Sequence, residues 1–124
     1  RCLVGSEMCI RDSGFTVRFG IGVLMRLFLD DLFEPRFAAM VAAARMPGSP
    51  ERPEPESDAY YVDMMRAWYF AEALVRQPMA AWPYVERRDE CALLDEWTRH
   101  KAIQKACESR RISVEAKERL RSFR

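Results

Sequence analysis

Tyr60 to Arg76 reads YYVDMMRAWYFAEALVR. Thirteen of these seventeen residues are apolar, the charged ones being Asp63, Arg66, Glu72 and Arg76, and neither Gly nor Pro interrupts them. The pattern predicts a helix contacted on nearly all sides, around which other helices must pack. Trp68 stands near its middle, and a tryptophan in such a helix is ordinarily core.

Moving outward toward the N-terminus, Phe15 to Leu32 (FTVRFGIGVLMRLFLDDL) carries Val17, Ile21, Leu24, Phe28 and Leu32 at the spacing of one helical face. Gly20 and Gly22 lower its helix propensity by roughly 1 kcal/mol each relative to alanine. Either they let a neighbouring helix approach or the sequence tolerates the cost. Glu34-Pro35 opens a second helix, since proline is acceptable at a first helical position. Arg36 to Met46 continues it with Phe37, Met40, Val41 and Ala44 along one side. Residues 47–58, PGSPERPEPESD, hold four prolines and no apolar patch, and so predict an extended or disordered Pro-rich connector, a loop within one domain in preference to a domain boundary.

Moving the other way, Gln77-Pro78 ends the central helix, and Met79 to Arg87 predicts a short helix or helical turn around Trp82 and Tyr84. Cys91 to Trp97 begins the next segment. Thr98 to Glu108 continues it with Ala102, Ile103, Ala106 and Cys107 as its inner stripe and with Lys101 and Lys105 on one face. Ser113 is an N-cap opening a last helix. Setting Phe15 over Tyr60 and Val17 over Val62 gives an internal offset of 45 residues, the period of HEAT-like helical arrays.

Composition sets the class. With 49% hydrophobic and 31% charged residues the chain is expected to be globular and soluble, and no run approaches a membrane span. Net charge is +1, yet Trp97 to Arg124 holds nine Lys or Arg against three Glu. Such a basic third suits a polyanion, although a solvated helical surface accounts for most charge runs.

Residues Cys2 to Asp12, CLVGSEMCIRD, resemble the read-through translation of a transposase sequencing adapter, whose end encodes Met-Cys-Ile-Arg-Asp in one frame. Residues 1–13 are accordingly expected to be a non-native, adapter-derived segment with no part in the fold. Residues 14–124 are then expected to be the C-terminal part of a longer protein. Cys91 and Cys107 remain, without metal-ligand spacing and without a secretory signal. This implies a reduced, cytoplasmic chain in which both are small core residues. His100, alone on a charged helix, implies a solvated side chain and no metal, and no cofactor is expected.

Three blocks carry a family resemblance: Val17-Arg18-Phe19-Gly20-Ile21; Tyr60-Tyr61-Val62 leading to Met65-Arg66-Ala67-Trp68; and Lys101-Ala102-Ile103-Gln104-Lys105 followed by Glu108-Ser109 and Arg111-Ile112-Ser113. In order and spacing they resemble the C-terminal half of AlkD-type DNA alkylation repair proteins. The resemblance implies an all-α fold of stacked antiparallel helical hairpins, a HEAT-like α-solenoid fragment. It implies a DNA glycosylase that grips duplex DNA on a basic concave face and releases N3- or N7-alkylated purines, with the protein a monomer. Trp68 matches the family's tryptophan on the DNA-facing side, and Arg18 its arginine close to the reaction centre. An aromatic face suits a cationic alkylpurine and an oxocarbenium-like sugar, and an arginine suits the neighbouring phosphate.

Lys101, Lys105 and Arg111 are the candidate phosphate contacts, a solvated helix face being their other reading. The family's catalytic aspartate belongs upstream of the position matching Gly14, and none of Asp30, Asp31 or Asp63 takes its place. The Pro-rich loop is longer than the family's joint, and His100 stands where asparagine is more usual. The chain by itself is therefore expected to lack glycosylase activity. A non-catalytic helical-repeat module that binds DNA or protein is the alternative.

Overall fold

The structure is a computed structural model that describes residues 14–87 and 92–124. The adapter-like segment 1–13, with Cys2 and Cys9, lies outside the described residues, as does Cys91. Among the described residues all regular structure is helical: α1 (Gly14–Leu27), α2 (Pro35–Ala43), α3 (Asp58–Arg76), α4 (Pro78–Glu86), α5 (Glu96–Glu108) and α6 (Val114–Ser122). None of these helices is long and apolar enough to cross a membrane.

The stretch that predicts a central helix forms one. Ser57 caps α3, its hydroxyl accepting from the Tyr60 N–H at 3.1 Å. Val62, Ala67, Tyr69, Phe70 and Ala73 are buried along it. α3 packs most extensively on α5 and α1, and also touches α2 and α4. The three long helices run in one direction. Gly14 meets Asp58 where α1 and α3 begin, and Tyr60 meets Trp97 where α3 and α5 begin. At the far ends Arg76 reaches the Met25 carbonyl. Asp95 and Ser113 cap α5 and α6, each accepting from the N–H three residues on at 3.2 Å.

Four local features depart from the sequence reading, each for a physical reason. α1 stops at Leu27 instead of Leu32, because Asp30 and Asp31 would place two negative charges at a helix C-terminus. Leu29 turns into the core, and Arg76 and Gln77 donate to the carbonyls of Met25 and Leu29 at 3.1 and 2.9 Å. α2 stops at Ala43 instead of Met46, since the Arg66 guanidinium donates to the carbonyls of Val41, at 3.0 Å, and Ala42. A cation at a helix C-terminus satisfies exposed carbonyls and complements the dipole. Ala38 and Val41 are the buried residues of α2, while Met40 points outward. The Pro-rich loop gives up Asp58 to α3 and buries Pro53, with Arg45 donating to the Pro50 carbonyl at 2.7 Å.

The glycines of α1 divide. A Cβ on Gly14 would lie 3.1 Å from the Asp58 Cβ, whereas one on Gly20 would meet nothing within 4 Å. Gly20 thus carries the entropic cost of glycine without using its small size. Gly20→Ala is expected to stabilise the fold by about 0.5–1 kcal/mol, read as a higher urea midpoint at unchanged slope.

Candidate functional site

Tyr61, Met65, Trp68 and Glu72 recur every three or four residues along α3, and so share one face. This is the face that the core leaves open. Trp68 is 50% exposed, whereas Ala67, Tyr69 and Phe70 beside it are fully buried. Phe15, Phe19, Gly22 and Arg26 form the matching stripe of α1, and Trp97, Lys101, Gln104 and Glu108 that of α5. Because α3 lies between α1 and α5 and all three run the same way, the stripes stand side by side.

Trp68 and Arg18 line one cleft of about 460 Å³ between α1 and α3, together with Phe15, Phe19, Arg26 and Met65. No carboxylate is among the residues lining it. The cations of the face sit on aromatic rings. The Arg18 guanidinium lies 5.1 Å from the Tyr61 ring centre and 5.9 Å from that of Phe15. The Lys105 ammonium lies 5.8 Å from Trp68, and that of Lys101 5.6 Å from Trp97. At these distances the ring quadrupole attracts the charge, by about 0.5–1 kcal/mol at exposed sites.

Among the described residues no carboxylate pairs with Arg18, Lys101 or Lys105, so their charge is available to an anion. Arg111 is placed differently. It lies in the turn after α5 and is ion-paired with Glu72, which also holds Arg76 at 3.7 Å. His100 is half-exposed and 3.0 Å from Glu96, a surface pair.

Comparison with models of known protein families, with curated proteins and with solved structures finds no match. The site is therefore read from its own geometry.

Two features escape the sequence reading. The first is the aromatic complement of the face, Phe15, Phe19, Tyr61 and Trp97. Its signal lay in the three-to-four spacing, which the 45-residue alignment obscured. The exposed stripes coincide at an offset of 46, Phe15 with Tyr61 and Phe19 with Met65, and one residue rotates a helix by about 100°.

The second is the polar cluster under the face. Arg66 is fully buried, and its Nη1 donates to Asp63 at 2.8 Å, to Asp95 at 2.7 Å and to the Thr98 hydroxyl at 3.1 Å. Arg45 closes the cluster from the end of α2, 3.5 Å from Asp63 and 3.7 Å from Asp95. The N-cap of α5 is thereby tied to the middle of α3, which fixes how the two exposed stripes meet. Arg99 does the same on the other side of α5, donating to the carbonyls of Val85 and Phe123.

Burial pushes the Asp63 carboxyl above its ordinary range, more than Arg66 lowers it. Burial also acts on Asp95, but Arg66, the Thr98 hydroxyl and Arg45 together outweigh it and hold that carboxyl below the usual 3.8. The signs are opposite. Asp95 contributes stability that is present above about pH 4 and lost as pH falls through its lower folded value, while protonation of Asp63 favours the folded state. Asp95→Asn keeps a capping side chain and removes the charge. It is expected to lower the urea midpoint at about pH 7, with the gap to wild type narrowing at about pH 3.

Proposed function

We propose that this chain is the C-terminal, DNA-gripping part of a DNA alkylation repair glycosylase of the AlkD type. In this reading it is a set of HEAT-like repeats whose α1, α3 and α5 stripes face duplex DNA carrying N3- or N7-alkylated purines. The observation that carries the proposal is Trp68, half-exposed on the open face of a largely buried helix, with Arg18 in the same cleft and Lys105 over its ring. An exposed tryptophan flanked by unpaired cations suits a ligand that offers both a flat, cationic base and a phosphate. Three long helices running one way, with shorter helices between them, support the reading.

Each residue then has a role. Trp68 lies against the lesion's sugar and base and stabilises positive charge that develops as the base departs. Arg18 holds the phosphate beside the lesion. Lys101 and Lys105 neutralise phosphates further along the strand, and Arg111 joins them by exchanging Glu72 for the backbone.

Among the described residues the cleft has no carboxylate to stabilise an oxocarbenium-like sugar, and the same fact favours a second reading, a non-catalytic helical-repeat module that binds DNA or protein. Excision assays separate the two. The 124-residue chain is expected to bind methylated duplex and release no base, whereas the protein extended by its upstream repeats is expected to release 3-methyladenine or 7-methylguanine. Base release by the 124-residue chain would contradict the assignment of roles. Binding without release by the extended protein would leave the second reading.

A further inference from the structure

A second cavity lies beside the α5 stripe. It holds about 800 Å³ between the Pro-rich loop, the first turns of α5 and the last residue of α6's tail, with Arg45, Arg52, Trp97, Lys101 and Arg124 in its walls. That size accommodates a small polar ligand. Its charge is lopsided once internal pairs are removed. Arg45 and Asp95 belong to the buried cluster, and Glu96 is taken by Arg99 and His100. Among the described residues the side chains of Arg52, Lys101 and Arg124 have no carboxylate partner, against Glu51 and, in the 124-residue chain, the α-carboxylate of Arg124 itself.

The aromatic wall is Trp97. Tyr60 holds it edge-on at 5.6 Å between ring centres, which sets the plane of the indole. The Lys101 ammonium covers the ring at 5.6 Å, and its four-carbon stem lets it swing away toward an anion. Three unpaired cations beside one fixed ring match a ligand that combines a dianionic phosphate with a flat heterocycle.

We propose that this cleft binds a single nucleotide unit, its base on Trp97 and its phosphate among Arg52, Lys101 and Arg124. The Pro-rich loop is then one wall of a binding site, held in place by Arg45 at Pro50 and by the buried Pro53. The unit is a free nucleoside monophosphate or the 5′-phosphorylated end of a strand, which share this chemistry. The site shares Trp97 and Lys101 with the α5 stripe, and Arg52 and Arg124, which stand outside the cleft that holds Trp68, tell it apart from duplex binding.

The test is calorimetric titration of the 124-residue chain with adenosine monophosphate, with adenosine, and with a 5′-phosphorylated trinucleotide. Saturable binding of the monophosphate or of the trinucleotide is expected, with adenosine at least about tenfold weaker. The arm that binds identifies the source. Arg52→Ala with Arg124→Ala, both exposed and unpaired, is expected to weaken the bound form about tenfold or more while leaving the urea midpoint in place. Trp97→Leu is expected to weaken it similarly while keeping all three cations, Lys101 losing only its ring contact. Absence of binding in both phosphorylated arms, adenosine as tight as its monophosphate, or an unchanged affinity in the double arginine variant would each overturn the proposal. Duplex affinity measured on the same samples reports separately on the α3 face.

Discussion

Arg66→Met is expected to destabilise the fold by about 3–5 kcal/mol, the cost of breaking a buried ion cluster from one side. The guanidinium is fully buried and serves two carboxylates, one hydroxyl and the last carbonyls of α2. Methionine fills much of the volume and satisfies none of these groups. Asp63 is left deepest, with Arg45 at 3.5 Å as its remaining cation and one carboxylate oxygen already without a hydrogen bond. For a domain whose total stability is about 5–15 kcal/mol, the loss is a large fraction. With a urea slope of about 1–3 kcal/mol per molar, the midpoint should drop by roughly 2 M. Adding Asp63→Leu should recover part of the loss, because the stranded charge is removed with it. A single variant that unfolds at the wild-type midpoint would show that the cluster carries no weight in holding α2, α3 and α5 together.

That cluster also marks the limit of what the sequence discloses. The existence of six helices followed from apolar spacing, and the caps at Ser113 and the proline at the head of α2 were visible as residue types in place. The ends of α1 and α2 were not, because the groups that finish them, Arg76, Gln77 and Arg66, lie 24 to 51 residues further along the chain. Asp63 and Arg66 stood out as charges in an apolar helix, yet their third and fourth partners, Asp95 and Thr98, come from another helix altogether. Long-range polar contacts leave no periodic trace.

The site was legible to a different degree. Trp68 reads as core by residue type and helix composition, and the flanking blocks alone pointed outward. Its exposure follows from which side of α3 the neighbours cover: Ala67, Phe70 and Ala71 are buried while Trp68 is half-exposed beside the cleft to α1. Tyr61 carries the same three-to-four spacing, which an alignment shifted by one residue hides by turning the stripe toward the core, while Trp97 lies on α5, outside that alignment. The Pro-rich loop misled for a related reason. Its composition describes a connector, and nothing local to it announces that Pro53 is covered or that Arg45 reaches across it.

The second large effect concerns the cations of the α3 face. Lys101 and Lys105 pair with no carboxylate among the described residues, so neutralising either removes no internal ion pair. Lys101→Ala with Lys105→Ala should cost no more than about 1–2 kcal/mol of stability, the two ring contacts that are lost, and weaken duplex binding about tenfold per lost contact. Trp68→Leu should weaken binding to methylated duplex more than to unmethylated duplex, since it removes a ring that a cationic base prefers.

The salt dependence of duplex binding tests the central claim most directly. Each phosphate neutralised releases counterions, and contributes about 0.9 to the slope of log affinity against log salt. If the stripes of α1, α3 and α5 face the backbone, the wild-type chain will show a steep negative slope, and the double lysine variant a slope shallower by about 2. An identical slope in the two proteins, or wild-type binding that does not respond to salt, would contradict the placement of DNA on this face.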